Sequence, residues 1–133
     1  MKRWHAVQEN ERRYGAEVRR KYGDEAMDES NKKLLAMDEA TWNTKEELEL
    51  LIIDALKAAM ADGDPAGPLA QRMCQMHGQW ISMHWADGAY SKGAHLSLAY
   101  GYLADARFTE YYDSRAGEGA TQFLVDALVI YCG

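Results

Sequence analysis

Cys74 and His77 stand three residues apart, with His84 and His95 downstream, and these are the residue types in the chain that could ligate a metal. Positions i and i+3 share a helix face, so a thiolate at 74 and an imidazole at 77 could chelate one ion. His84 cannot join them, because two helical turns put it about 10 Å of rise from His77. The chain has no His-Glu-x-x-His, Cys-x-x-Cys or Glu-x-x-His pattern. Nucleophilic chemistry finds no better support. There is no Gly-x-Ser-x-Gly turn, and neither Cys74 nor Cys132 has a sequence neighbour that would activate its thiol. No Gly-rich loop after a strand offers a phosphate cradle. Glu46 and Glu47 fall in the first turn of an ordinary helix, where the dipole explains them. No metal, no cofactor and no catalytic residue is expected.

What remains is aromatic and soft. Residues 73–85 read MCQMHGQWISMHW, without one charge in a chain where charged residues make up 27%. A helix that only filled a core would use Leu, Ile and Ala, whose rotamers are better defined. Met and Trp give a polarisable, adaptable surface, and His and Gln bring donors and acceptors that need partners when buried. The segment is either the wall of a binding cleft or a Met-rich core helix with its His tips at the rim. Trp42, Trp80, Trp85, Tyr90, Tyr100, Tyr102, Tyr111 and Tyr112 fall in the part of the chain that also holds His77, His84 and His95. Rigid rings with a few polar tips suit a large, flat, partly apolar ligand. Tyr102, Phe108 and Phe123 are read as core.

The elements that must position these residues are helical. Sustained period-2 alternation and Asn-Gly hairpin signals are missing, whereas helical spacing is pervasive. Residues 2–22 set Trp4, Val7, Tyr14, Val18 and Tyr22 on one stripe, giving a first helix despite Gly15. A second covers 24–37. Thr44 and Glu47 form a capping box that starts a third helix running to about Ala61, with Leu48, Leu51, Ile52, Ala55, Leu56 and Met60 as its buried face. Both prolines lie in the break at 62–68, DGDPAGP. The fourth helix, 69–85, carries two stripes: Leu69, Met73, Met76, Trp80, Met83, and Cys74, His77, Ile81, His84. Ser91 caps a fifth helix to about Ala104, Asp105 caps a short sixth to Tyr112, and Gly117 or Gly119 opens the last. The expectation is one all-α domain over 1–133, a bundle of six or seven helices.

Charge narrows the partners. Residues 2–22 sum to +4 and the remainder to −10. A bulk of that sign repels phosphate backbones, so direct nucleic-acid binding by this domain is not expected. No apolar run reaches the roughly 18–20 residues of a membrane span, and the start lacks the apolar core of a secretory signal. A cytoplasmic chain with two free thiols follows as the expectation.

Leu98 to Asp113, LAYGYLADARFTEYYD, and Gly119 to Tyr131, GATQFLVDALVIY, resemble the TipA-S-type antibiotic-recognition domain, the effector module of a branch of MerR-type transcription activators. His95 stands three residues before Leu98, as the pattern H-x-x-L-A-x-x-Y asks. Tyr22-Gly23-Asp24, Trp42, the Ala55–Met60 stretch before the Gly/Pro loop, and His77-x-x-x-Ile81 add to the likeness, which spans about residues 14–131. The resemblance implies a globin-like all-α fold whose cleft takes bulky aromatic or peptidic antibiotics such as thiopeptides, under N-terminal helices that order over the ligand. It also implies a regulator's sensor half or a free-standing drug-sequestering protein. The winged-helix and coiled-coil parts of such activators have no counterpart here, so a DNA-binding part in cis would lie outside this chain. The cysteine that captures drug covalently in the prototype would fall near residues 86–90, which read ADGAY. Non-covalent binding is therefore expected, at Trp42, His77, Trp80, Ile81, His84, Trp85, Tyr90, His95 and Tyr112. The alternative is a protein-interaction module that holds an amphipathic partner helix in a Met/aromatic groove.

Overall fold

The computed structural model describes residues 2–133, apart from the side chains of Lys2, Arg3 and Arg13, so the part of the basic N-terminal charge they carry lies outside the description. Among the described residues there are eight α-helices, no strand and no helix long and apolar enough to cross a membrane. They are α1 (Lys2–Asn10), α2 (Ala16–Tyr22), α3 (Asp24–Ala36), α4 (Glu39–Asp62), α5 (Pro68–His84), α6 (Lys92–Ala104), α7 (Ala106–Ala116) and α8 (Ala120–Cys132). The all-α expectation holds, with one helix more than the largest number expected.

The extra helix comes from the N-terminal segment, where a π-helical turn at Glu11–Gly15 separates α1 from α2. Gly15 is buried beneath the Glu11 carboxylate, which occupies the space a Cβ would need and accepts hydrogen bonds from Arg19 and Asn31. One added residue rotates every later side chain by roughly 100°. The expected stripe therefore breaks. Val7 is buried and Tyr14 and Val18 are half-buried, while Trp4 and Tyr22 face solvent.

α4 also departs from expectation. Its cap is Asp38, whose Oδ1 accepts from the Thr41 N–H at 2.7 Å, so the helix begins well before the Thr44–Glu47 box. Asp38 precedes a run of adequate helix formers, and Thr44 then sits inside the helix, its hydroxyl donating to the Ala40 carbonyl at 3.0 Å. Leu51, expected in the buried face, is 54% exposed, because the inward face of α4 runs through Ile52, Leu56 and Ala59 and turns Leu51 to solvent. Trp42 and Lys45 are buried near its start, and Ile52, Leu56 and Ala59 towards its end. The other stops and starts follow the sequence, except that α7 runs on to Ala116, four residues past the expected end at Tyr112. Gly63, at φ +82°, closes α4 and Pro68 opens α5. Ser91 and Asp105 cap α6 and α7 through the Ala94 and Arg107 N–H groups.

Two apolar clusters result. The main core packs Leu56, Met73, Cys74, Ala99, Leu124 and Leu128 where α4, α5, α6, α7 and α8 meet. Ala59, Ala70, Ala99, Ala120 and Ala127 are fully buried and let helix backbones approach closely. The second cluster is small: Val7 of α1, Leu34 of α3 and Trp42 of α4, with Met37 against it. It is the apolar anchor of an arm, residues 2–36, that lies across the core.

Candidate functional site

α5 and α6 bring two histidines edge to edge inside the core. His77 Nδ1 lies 2.8 Å from His95 Nε2, with the ring centroids 5.0 Å apart and the planes within 9° of parallel. Both residues are essentially inaccessible. Burial, and for His77 the neighbouring His95, pushes their pKa values below the ordinary imidazole range, so both rings are neutral. On one side the chain continues to the surface: the Tyr90 hydroxyl is 2.8 Å from His95 Nδ1. On the other, the Tyr102 and Tyr112 hydroxyls each lie 3.2 Å from His77 Nε2 and 3.4 Å from one another. Desolvation raises all three tyrosines, Tyr90 to about 12, which keeps them protonated. Tyr102, read from the sequence as core alone, is core and network together. A buried Tyr ring at helical spacing carries no sign of where its hydroxyl points.

A second group runs along the outer side of α5. Trp80 Nε1 donates to Glu49 at 3.0 Å, and Glu49 also takes Lys45 Nζ at 3.0 Å. The buried Lys45 ammonium lies 4.3 Å over the Trp42 ring, whose Nε1 donates to Glu46. His84 packs on Trp80 at 4.2 Å and donates through Nδ1 to the Trp80 carbonyl, its pKa pushed down to about 4 by burial. Ile81 is buried between the two groups, and Trp85 approaches Tyr90 at 6.1 Å. The nine expected site residues therefore divide. His77, His95, Tyr90 and Tyr112 form one polar chain, Trp42, Trp80 and His84 a chain of rings and charges, and Trp85 joins Tyr90 at the rim. The stripe that turns inward is Cys74, His77 and Ile81, together with Met73; Leu69 is 48% exposed. A half-open recess lined by His77, Trp80, Tyr111 and Tyr112 with Glu49, Ile52 and Ile53 holds about 10 Å³, room for one water at most.

α3 seals this region from outside. Lys33 Nζ donates to the carbonyls of Ser82 and Trp85 and to Asp87, at 2.7–3.0 Å, while the Ser30 hydroxyl donates to the His84 carbonyl at 2.6 Å. One ammonium thus satisfies carbonyls at the end of α5 that no helix continues to use. On the far flank of the arm, α2 leaves a cleft of about 560 Å³ against α6 and α7, lined by Tyr14, Val18, Lys21, Leu98, Arg107 and Phe108 among others. Tyr14 stacks on Phe108 at 5.4 Å, and Arg107 lies over Tyr14 while bonding Glu17 and Asp105. Phe108 in turn packs on Tyr102 at 4.9 Å. This cleft was not anticipated. Its lining comes from segments distant in sequence, and nothing in RF at 107–108 signals the approach of Tyr14.

Cys74 is buried, with its thiol pushed up to about 12 by desolvation, and Cys132 is raised for the same reason. Among the described residues, no group of three or more His, Cys, Asp or Glu gathers to hold a metal ion.

The sequence pattern of the TipAS antibiotic-recognition domain matches residues 14–131, nearly the whole chain. The chain belongs to the TipAS antibiotic-recognition family. The TipAS match takes in the arm from the π turn onward, both histidines of the buried chain and every helix of the core. Over 95% of its length the chain is also 29% identical to the HTH-type transcriptional activator mta of Bacillus subtilis, and it spans about half (48%) of that relative's length. No solved structure matches significantly. Membership indicates a sensing, regulatory role.

Proposed function

We propose that this chain is the ligand-sensing effector domain of a transcription activator, or a free-standing form of it that sequesters drug, and that it binds a bulky aromatic or peptidic small molecule without catalysis. What carries the reading is the arm of residues 2–36, anchored on the core through a small apolar cluster and meeting the ring-rich side of α5 through Ser30 and Lys33, with open space of about 560 Å³ only on its other flank. A seam between a lightly anchored segment and a rigid core is where a ligand can enter and be covered. In the whole protein, a DNA-binding part outside this chain would read the position of the arm, and the site of action is the cytoplasm.

The ligand packs non-covalently where the arm meets α5, with Trp42, Trp80, His84, Trp85 and Tyr90 around it and Ile81 beneath. His77, His95 and Tyr112 support it from the interior. The raised thiol of Cys74 speaks against capture by a covalent bond, because the thiolate is the reactive form. Calorimetric titration of antibiotics found in a thermal-shift screen tests the reading. Trp85→Ala should weaken binding by about 2 kcal/mol or more, some thirtyfold, with the melting temperature little changed. Unchanged affinity removes Trp85 from the site and moves the ligand to the cleft at Phe108. Denaturing mass spectrometry of the complex should return only the unmodified protein mass, and an adduct on Cys74 would overturn the non-covalent reading.

A further inference from the structure

The buried chain Tyr90–His95–His77–Tyr102–Tyr112 has a direction, and the direction follows from counting protons. Three tyrosine hydroxyls and two neutral imidazoles carry one exchangeable proton each. Each buried donor needs an acceptor inside the chain, because no other partner for these side-chain groups exists among the described residues. Suppose the chain runs inward, with Tyr90 donating to His95 Nδ1 and His95 Nε2–H donating to His77 Nδ1. His77 Nε2–H then donates to the tyrosine pair, one of the pair donates to the other, and the last hydroxyl proton is stranded. Tyr102 and Tyr112 are 3% and 4% exposed, so that proton finds no protein acceptor and would need a water in the roughly 10 Å³ beside Tyr112.

Running outward, the same five protons fit. Tyr112 donates to Tyr102, Tyr102 to His77 Nε2, His77 Nδ1–H to His95 Nε2, and His95 Nδ1–H to the Tyr90 oxygen. The surplus proton then belongs to Tyr90, the half-buried member of the chain and its end at the 85–91 loop. Gly78 makes the arrangement possible. A Cβ there would stand 2.8 Å from the Tyr90 oxygen, so the ring can seat on α5 only over a glycine. With its oxygen held by His95 Nδ1–H, Tyr90 is fixed as a donor towards anything that lies against the loop.

We infer that Tyr90 is a specificity-determining residue: its hydroxyl proton, directed outward by the buried histidine pair, selects ligands that present a hydrogen-bond acceptor such as an amide or ester carbonyl at the 85–91 loop. This deepens the small-molecule reading of the same site and rests on it for the ligand, but the direction of the chain stands without any ligand. Lys92, whose ammonium lies 4.5 Å over the Tyr131 ring beside His95, adds a second donor to that rim.

Long-range proton–nitrogen NMR of ¹⁵N-histidine-labelled protein tests the direction with nothing bound. Both His77 and His95 should be the Nδ1–H tautomer. Nε2–H on either ring, or a cationic ring at neutral pH, overturns the inference. The second arm compares two probes that share an indole and differ in polarity, N-acetyltryptophanamide and tryptamine, titrated while the His95 ring signals are observed. The amide should perturb them more than the amine, and Tyr90→Phe, which keeps the ring on Gly78, should abolish that preference. An equal response to the two probes, or a preference that survives in Tyr90→Phe, overturns the selective role. A failure of the antibiotic screen would leave the tautomers as they are, so the two readings fail separately.

Discussion

The core of α4 to α8 and the arm of α1 to α3 are both helical, yet they are held by different forces. The core closes on fully buried Leu, Met and Ala side chains and places its polar atoms in a chain where donors and acceptors match. The arm buries Val7, Met27 and Leu34 and relies on ion pairs: Arg19 with Glu11, Asp24 and Asp28, and Arg107 reaching from α7 to Glu17. Apolar burial is contiguous and cooperative, whereas exposed ion pairs are screened by water and contribute little. A domain built this way can release its arm without melting its core.

Acid should separate the two regions most. His77, His95 and His84 are held neutral in the native state by burial, while the unfolded chain titrates them near pH 6.5. Below pH 6.5 the unfolded state therefore binds more protons. Stability that is complete above that pH is lost as it falls towards the lowered native values. At pH 5 His77 and His95 should each cost about 2 kcal/mol relative to pH 7. Urea unfolding at the two pH values measures this, and equal stability at both would mean that the pair is not buried and neutral. Leucine truncations come next. Leu124→Ala in the main core should lower global stability by about 3 kcal/mol through its cavity, seen as a drop in the urea midpoint. Leu34→Ala should instead speed hydrogen exchange in residues 2–36 and leave the core amides slow. If both variants shift the global midpoint alike, the arm is part of the core.

Lys33→Met should cost about 1 kcal/mol locally by freeing the carbonyls of Ser82 and Trp85, with faster exchange confined to α3 and the 85–91 loop. The smallest effect is that of salt. At 1 M, where the Debye length is about 3 Å, arm exchange should rise a few-fold while the urea midpoint of the core does not fall. An arm indifferent to salt would place its anchorage in Val7, Leu34 and Trp42 alone.

The sequence by itself determined the helices and most of their ends. Gly23, the 62–68 break, Ser91, Asp105 and Gly119 act within a turn of their own position, through backbone φ or a side-chain cap, so their effect is local and readable. It misplaced the start of α4 where two capping residues, Asp38 and Thr44, competed, and it missed the π turn that splits the first helix, because a bulge is stabilised by what Glu11 meets on α2 and α3. The soft, uncharged α5 was legible as special, and so was the resemblance that the family match bears out. Which of its stripes faces inward, and that His77 meets His95 across 18 residues of chain, was decided by tertiary structure alone. Side-chain direction depends on packing between α5, α6 and α8, and two histidines at unrelated spacing carry no mark of contact. The same holds for Gly78 beneath Tyr90 and for Tyr14 against Phe108: composition supplies the groups, and only the approach of distant helices gives them partners.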